Sequence, residues 1–371
     1  MIIRDTIHGN VEFDDTSAKI LDLPEMQRLR GINQLGFDYF VYPGANHTRF
    51  EHSIGSMHIT NELIKNIWDG KNAELGIVAL IHDVGHGPFS HQSEDVIMKF
   101  TKKSHEQHGE QRIRNSRIKD YIQDSGMSFR KVMEYFKGGE SCEIVGGALG
   151  SDRIDYIMRD AYYTGVAYGI VDYNRLKSKL TVYKGMPAIY QNGVSAAELM
   201  LIARYFMFED VYGHHVARIG EGMFQNGLRN VIENGEVDAN VAANMMDAQA
   251  MECLRRSKSA SGIAKRLDTR NLFKRAYYQA VERDVKVAEI ENALGRAGFS
   301  KDDYVVSFKG FGAERGDVAV LSKDGAKIGT LNGISPLMKA IDDIVGGKKR
   351  LLVACDKKNV VKARTAVLRL L

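Results

Sequence analysis

The sequence has little cysteine and little proline. Its three cysteines, Cys142, Cys253 and Cys355, are odd in number, far apart and without a CxxC pair. That pattern offers neither a disulfide framework nor a cysteine-ligated zinc site, and it fits a reducing, cytoplasmic compartment. Only 5 prolines occur in 371 residues, so long helices are permitted. No run approaches the roughly 18 uncharged apolar residues of a membrane helix, and the opening "MIIRDTIHGN" lacks a signal-peptide apolar core. The expectation is a cytoplasmic protein with no membrane partner. A strong charge bias is also missing: 51 Lys and Arg against 47 Asp and Glu leave +4. This suits an anionic small molecule. It does not by itself argue for nucleic acid, and there is no aromatic-basic stripe of the kind that stacks bases.

What is present is helical periodicity. Ile54, Met57, Leu63, Ile64, Ile67 and Trp68 form one stripe. Residues 73–83 read as a nearly all-apolar helix that must lie in the core. Residues 195–212, 239–258 and 270–283 also read as helices. A short hairpin is expected over 180–193. Near residue 300 the pattern changes to β-branched runs, "DYVVSFKGF", "GDVAVLSKDGAKIGTL" and "KRLLVACD", with "KDG" as a hairpin turn and helices over 334–345 and 358–370. The expected fold is mainly α: a helical body over 1–285 and a small α+β unit over 286–371. The latter carries no chemical motif and is expected to be structural or regulatory.

The chemistry concentrates in "IHDVGHGPFSH", residues 81–91, which holds three of the chain's 11 histidines. His82 and Asp83 end the core helix, where glycines let the backbone turn. His52 lies in "TRFEHSIG" and Asp152 in "GSDRIDYIMRD". Asp152, Tyr156 and Asp160 recur every four residues and line one helix face. Imidazole and carboxylate are the usual ligands of a divalent ion where thiolates are absent. Taken singly, each of these residues has a plainer reading: a packed histidine, or a solvated acidic face paired with Arg153 and Arg159. Their joint occurrence in this order argues for a metal.

The order His52, His82-Asp83, Asp152 resembles the HD-domain phosphohydrolase superfamily. The longer segments "LPEMQRLRGINQLGFDYFVYPGANHTRFEHSIG", "SHEQHG", "SDRIDYIMRDAYYTGV" and "RNLFK" are similar to the dGTP-activated deoxynucleoside triphosphate triphosphohydrolases. In animals those carry an added sterile-alpha-motif domain, which is not seen in this sequence. The resemblance runs from "DTIHGNVEF" to "RLLVACDKKNVVKAR".

The resemblance implies one divalent cation (Fe, Mn, Zn, Ni or Mg) held by His52, His82, Asp83 and Asp152. It implies cleavage of a dNTP at Pα to deoxynucleoside and tripolyphosphate. His91 and His105 match the family's catalytic histidines, with His91 protonating the leaving 5′ oxygen and Glu110 or another acid tuning it. His86 matches a phosphate contact. Arg49, Arg153 and Arg204 would face the triphosphate, Arg153 standing where the family usually has lysine. Gln34 and Leu35 match residues at the sugar 3′ edge, and Tyr156, Asp160 and Tyr212 match those around deoxyribose and base. Asp22, Gln27 and Arg30, with Arg270 and Lys274 for phosphates, match a second site where GTP or dGTP binds at a subunit junction. A homo-oligomer, dimer or tetramer, would follow. Other readings stay open: an HD phosphohydrolase acting on another guanine nucleotide or a phosphodiester, a nucleotide-binding regulator with a vestigial site, and a single-stranded nucleic-acid binder or nuclease.

Overall fold

The computed structural model describes residues 1–68, 70–139, 142–281, 286–310, 317–345 and 349–371. Helices dominate the first two thirds of the chain. At the centre lies helix Glu74–Ile81, with every residue from Leu75 to Ile81 buried. A short helix without a polar face can only be stable when covered on all sides. Helix Arg49–Trp68 packs along it, and helix Ser151–Thr164 in turn packs on Arg49–Trp68. The second contact is close. A Cβ on Gly55 would overlap the Asp155 carboxylate and the Arg159 guanidinium, so only glycine lets these helices approach with that ion pair between them.

The expected helix over 270–283 is corrected. Lys274–Val281 is a strand, paired antiparallel with Lys349–Cys355, which also pairs with Tyr304–Gly310. Residues 282 and 283 of that expectation lie outside the described residues, as do Phe311 and Gly316 of the two later runs. Tyr277, Tyr278 and Val281 suit a pleated surface, and the partner strand decides the conformation. The expected hairpin over 180–193 forms from Leu180–Tyr183 and Met186–Tyr190, and it continues in parallel into Ala319–Leu321. Strands Ala319–Leu321 and Lys327–Thr330 flank the "KDG" turn, where Gly325 takes a positive φ of 87°. A boundary between residues 285 and 286 therefore separates strands that pair with one another. Among the described residues, no helix is long and apolar enough to cross a membrane.

Candidate metal centre

Four side chains from three helical segments meet beside the end of the core helix. His52 Nε2 lies 2.9 Å from Asp152 Oδ1 and 3.7 Å from Asp83 Oδ2. His82 Nε2 lies 3.3 Å from Asp83 Oδ1 and 3.6 Å from Asp152 Oδ1. Both rings are oriented through their other nitrogen. His52 Nδ1 sits 2.7 Å from Asp155 Oδ2, and His82 Nδ1 sits 2.8 Å from the Ala79 carbonyl. A histidine held at Nδ1 by an acceptor presents Nε2 as a ligand. One donor atom from each of His52, His82 and Asp83 falls within 4.8 Å of the others. His82 Nε2 is buried and makes no hydrogen bond among the described residues, although it faces two carboxylates. An unsatisfied buried nitrogen is costly, so this donor set fits a cation well.

The electrostatics agree. Burial alone would lower the His52 pKa, but hydrogen bonds to Asp152 and Asp155 overcome it and raise it to about 10. His82 is raised against burial by Asp83 and Asp152. Burial would raise Asp83, yet Arg49, His82 and His86 hold it well below the usual carboxylate range. Two acids that stay ionised around two imidazoles form a field that favours positive charge.

Behind the centre lies a network that the sequence reading misses. Asp155 is fully buried and accepts from Arg159 Nε and Nη2, each at 2.9 Å. It also lies 2.7 Å from His8 Nε2. Arg159 in turn donates to Asp5 at 2.9 Å. Asp155 is three residues past Asp152, a spacing that places both carboxylates toward His52.

Residues 84–90 join Asp83 to helix His91–Thr101. A Cβ on Gly85 would overlap the His105 carbonyl and the Gly109 backbone, so helix His105–Asn115 can pack directly on this turn. Phe89 and Ser90 both take positive φ, 56° and 59°, a strained conformation for non-glycine residues. Packing and hydrogen bonds hold the strain. The Phe89 ring stacks on Phe37 with centroids 4.3 Å apart, its N–H donates to Asp247 Oδ1 at 2.6 Å, and Ser90 Oγ donates to the Asn33 carbonyl at 2.6 Å. Asp247, which the sequence reading also misses, accepts the Asn33 N–H at 2.9 Å. Burial raises its pKa to about 7, against the backbone bonds from Phe89 and Asn33.

The centre opens into a cavity of about 560 Å³. Of the residues picked from sequence, Gln34, Leu35, Arg49, Tyr156, Asp160 and Tyr212 line it, with His82, Asp83, Asp152, His86, His91 and His105. Arg49 is already engaged, donating to Asp83 Oδ2 at 2.5 Å and to Ser90 Oγ at 2.8 Å. Tyr212 ends a π-helical turn, Met207–Tyr212, that follows helix Val194–Phe206, and it donates to Asp160 Oδ2 at 2.7 Å. His47 Nε2 lies 2.7 Å from the other Asp160 oxygen. Arg153 and Arg204 are not among the lining residues. Arg153 is buried, and Arg204 stacks over Phe208 at 5.1 Å. Tyr278, Gly310 and Arg350 from the C-terminal strands also line the cavity.

Glu94 bridges two of the histidines, and Glu106 Oε1 lies 3.7 Å from His105 Nε2. Glu94 Oε1 lies 2.5 Å from His105 Nδ1 and its Oε2 lies 2.9 Å from His91 Nδ1. The expectation names Glu110 or another acid for tuning His91; Glu110 pairs with Arg114 at 2.8 Å and Lys137 at 2.7 Å, and Glu94 is such another acid. Glu94 follows His91 by three residues on a helix, a spacing that could have marked it.

Of the residues matched to a second nucleotide site, Asp22 and Arg30 are exposed. Gln27 Oε1 accepts from Arg30 Nε at 2.8 Å, and Arg30 stacks on Phe50 at 3.7 Å. Arg270 donates to the Phe40 carbonyl at 3.0 Å, and Lys274 is exposed at a strand start. Among the described residues, no hydrogen bond or ion pair joins these two groups.

A helical body with a buried His/Asp cluster at the floor of a cavity defines a candidate metal site of the HD type. The HD domain family matches residues 49–141, and the family described as HD associated region matches residues 171–371. The chain belongs to the HD-domain family, with an HD-associated region after the HD domain. An uncharacterized protein of Methanocaldococcus jannaschii is 35% identical over 282 residues, covering 74% of this chain and 58% of its own length. A deoxynucleoside triphosphate triphosphohydrolase SAMHD1 homolog of Dictyostelium discoideum is 29% identical over 250 residues, covering 61% of this chain and 48% of its own length. The chain thus spans about half the length of these curated relatives. The crystal structure of a hypothetical protein from Aquifex aeolicus superposes with a TM-score of 0.82 at 30% identity, covering 99% of both chains.

Proposed function

We propose that this protein is a metal-dependent nucleotide phosphohydrolase, and specifically a dNTP triphosphohydrolase. The observation that carries this reading is the convergence of His52, His82, Asp83 and Asp152, with His82 Nε2 left unsatisfied beside two ionised carboxylates. These four residues would hold one divalent cation. When bound, such a cation polarises a phosphate oxygen and favours attack by water.

The chain's own residues supply the rest. Arg49, fixed by Asp83 and Ser90, keeps permanent positive charge at the cavity wall, and Arg153 and Arg204 add charge behind it. His86 contacts the phosphates. Water forms the new bond to Pα as the bond from Pα to the 5′ oxygen breaks. His91 gives its proton to that oxygen, and the proton lost by water returns to solvent. Glu94 orients His91 and His105 for this task, which is the work of a carboxylate on a general acid. Gln34 and Leu35 meet the sugar 3′ edge. Tyr156, Asp160 and Tyr212 close around deoxyribose and base, and Tyr212 leaves no room for a 2′-hydroxyl. GTP or dGTP at Asp22, Gln27 and Arg30, with Arg270 and Lys274 on its phosphates, would promote a homo-oligomer.

The test is product analysis by mass spectrometry. The protein is incubated with dNTPs and NTPs and Mn²⁺, Mg²⁺ or Fe²⁺, with and without GTP. Deoxynucleoside and tripolyphosphate are expected. An intact nucleotide panel under every condition rejects the reading.

A further inference from the structure

The C-terminal strands turn two faces to two different neighbours. Along Lys349–Cys355, Leu351, Val353 and Cys355 pack in the core of the C-terminal unit, whereas Leu352 and Ala354 join the core of the helical body. Successive side chains alternate across a strand, so Arg350 shares the face turned to the body. Tyr278 is on that face too. It pairs with Leu352 across the sheet, and its ring lies 5.8 Å from the Arg350 guanidinium. Both residues line the cavity. Both also hold the π-helical turn Met207–Tyr212. Arg350 Nη2 donates to Glu209 Oε2 at 2.5 Å, and Tyr278 Oη donates to the Gly213 carbonyl at 3.0 Å. Arg218, buried in the helix that follows the turn, donates to the Ser307 carbonyl at 2.7 Å and to the Arg350 carbonyl at 3.3 Å. Single π-helical turns are rare and concentrate at functional sites. This one is fastened by the C-terminal strands on one side and, through Tyr212, by Asp160 on the other.

We propose that Arg350 and Tyr278 are positioning residues: they clamp the turn that carries Tyr212 and so set how closely its ring meets the sugar of a bound nucleotide. The C-terminal unit then completes the cavity and takes part in sugar selection. Glu209 is not among the lining residues, so its pair with Arg350 acts on the turn and not on a ligand. The consequence for sugar selection rests on the function proposed above, while the clamp itself does not.

The experiment compares Arg350→Met, Glu209→Gln and Tyr278→Phe with wild type in the full chain. Glu209→Gln keeps the shape of the side chain, so it should fold even where Arg350→Met does not. Hydrogen exchange followed by mass spectrometry tests the clamp without substrate. Amides of residues 207–213 should exchange about tenfold faster in Arg350→Met and Glu209→Gln, while those of residues 151–164 keep wild-type rates. Unchanged exchange at 207–213 in both variants overturns the proposal. The kinetic measure is kcat/KM for GTP relative to dGTP. It should rise about 3- to 10-fold in each variant, less than on losing a whole specificity group. The Arg350→Met, Glu209→Gln double variant should show no more than either single one, because both break one link. A ratio that moves in Arg350→Met but not in Glu209→Gln overturns the proposal, since Arg350 would then act on the nucleotide directly, and so does a ratio unmoved in all three. If wild type hydrolyses no nucleotide while exchange at 207–213 still rises in the variants, the clamp stands and the functional reading falls.

Discussion

The Asp247 carboxylate accepts the Phe89 backbone N–H at 2.6 Å across 158 residues of chain. Its other oxygen takes the Asn33 N–H at 2.9 Å, so one buried acid ties the strained loop of the site to the segment carrying Gln34. Asp247→Ala leaves two largely buried donors unsatisfied, at about 1–3 kcal/mol each. Urea denaturation should show a loss of that order, and an unchanged midpoint would count against the tie.

The same residue predicts a pH effect. Its folded pKa is raised to about 7 from 3.8, so the folded state holds the proton more tightly. The resulting stabilisation is full below about pH 4 and is lost as pH rises through 7. Relative to Asp247→Asn, wild type should therefore lose stability between pH 4 and 7, by a few kcal/mol at most, on the order of three pKa units. Parallel melting curves for the two proteins across this range would refute it. Asp83 and Asp155, both held well below the usual range, act oppositely, and their stabilisation is lost as pH falls below about 4.

Asp155→Asn should loosen His52. The carboxylate that orients His52 Nδ1 is then replaced by a weaker, neutral acceptor. Loss of such a partner typically lowers metal affinity about 10- to 100-fold. Competition with a chelator dye measures it, and wild-type affinity in the variant would show that Asp155 only packs.

His91→Gln should lower kcat about 10²- to 10⁴-fold, the usual worth of a positioned proton donor, with little change in KM. Steady-state kinetics on dGTP would decide, and a change confined to KM would instead assign His91 to binding.

Tyr212→Ala should admit ribonucleotides. If the phenol excludes the 2′-hydroxyl, kcat/KM for GTP relative to dGTP should rise about 10- to 100-fold, the scale of one steric or packing determinant. An unchanged ratio would move sugar selection elsewhere.

The metal-type cluster is legible in the sequence because its donors sit in a recognisable order, and the core helix is legible because its residues have no polar face. Glu94 and Asp155 do not stand out, although each lies three residues from a residue that does. A carboxylate near a histidine on a helix is common, and only the fold shows which one it meets. His8, His47 and Asp247 act across 147, 113 and 158 residues, distances over which sequence spacing carries no signal. Lys274–Val281 reads as helix in isolation because its alternate apolar positions are few. Pairing with Lys349–Cys355 overrides that local preference.

By itself, the sequence determined the helical class, the buried central helix and which side chains could ligate a cation, since composition and period follow from local chemistry. Tertiary structure alone decided which nitrogen each histidine presents, which acid stands behind it and which strands line the cavity. Those depend on neighbours brought together only when the chain folds.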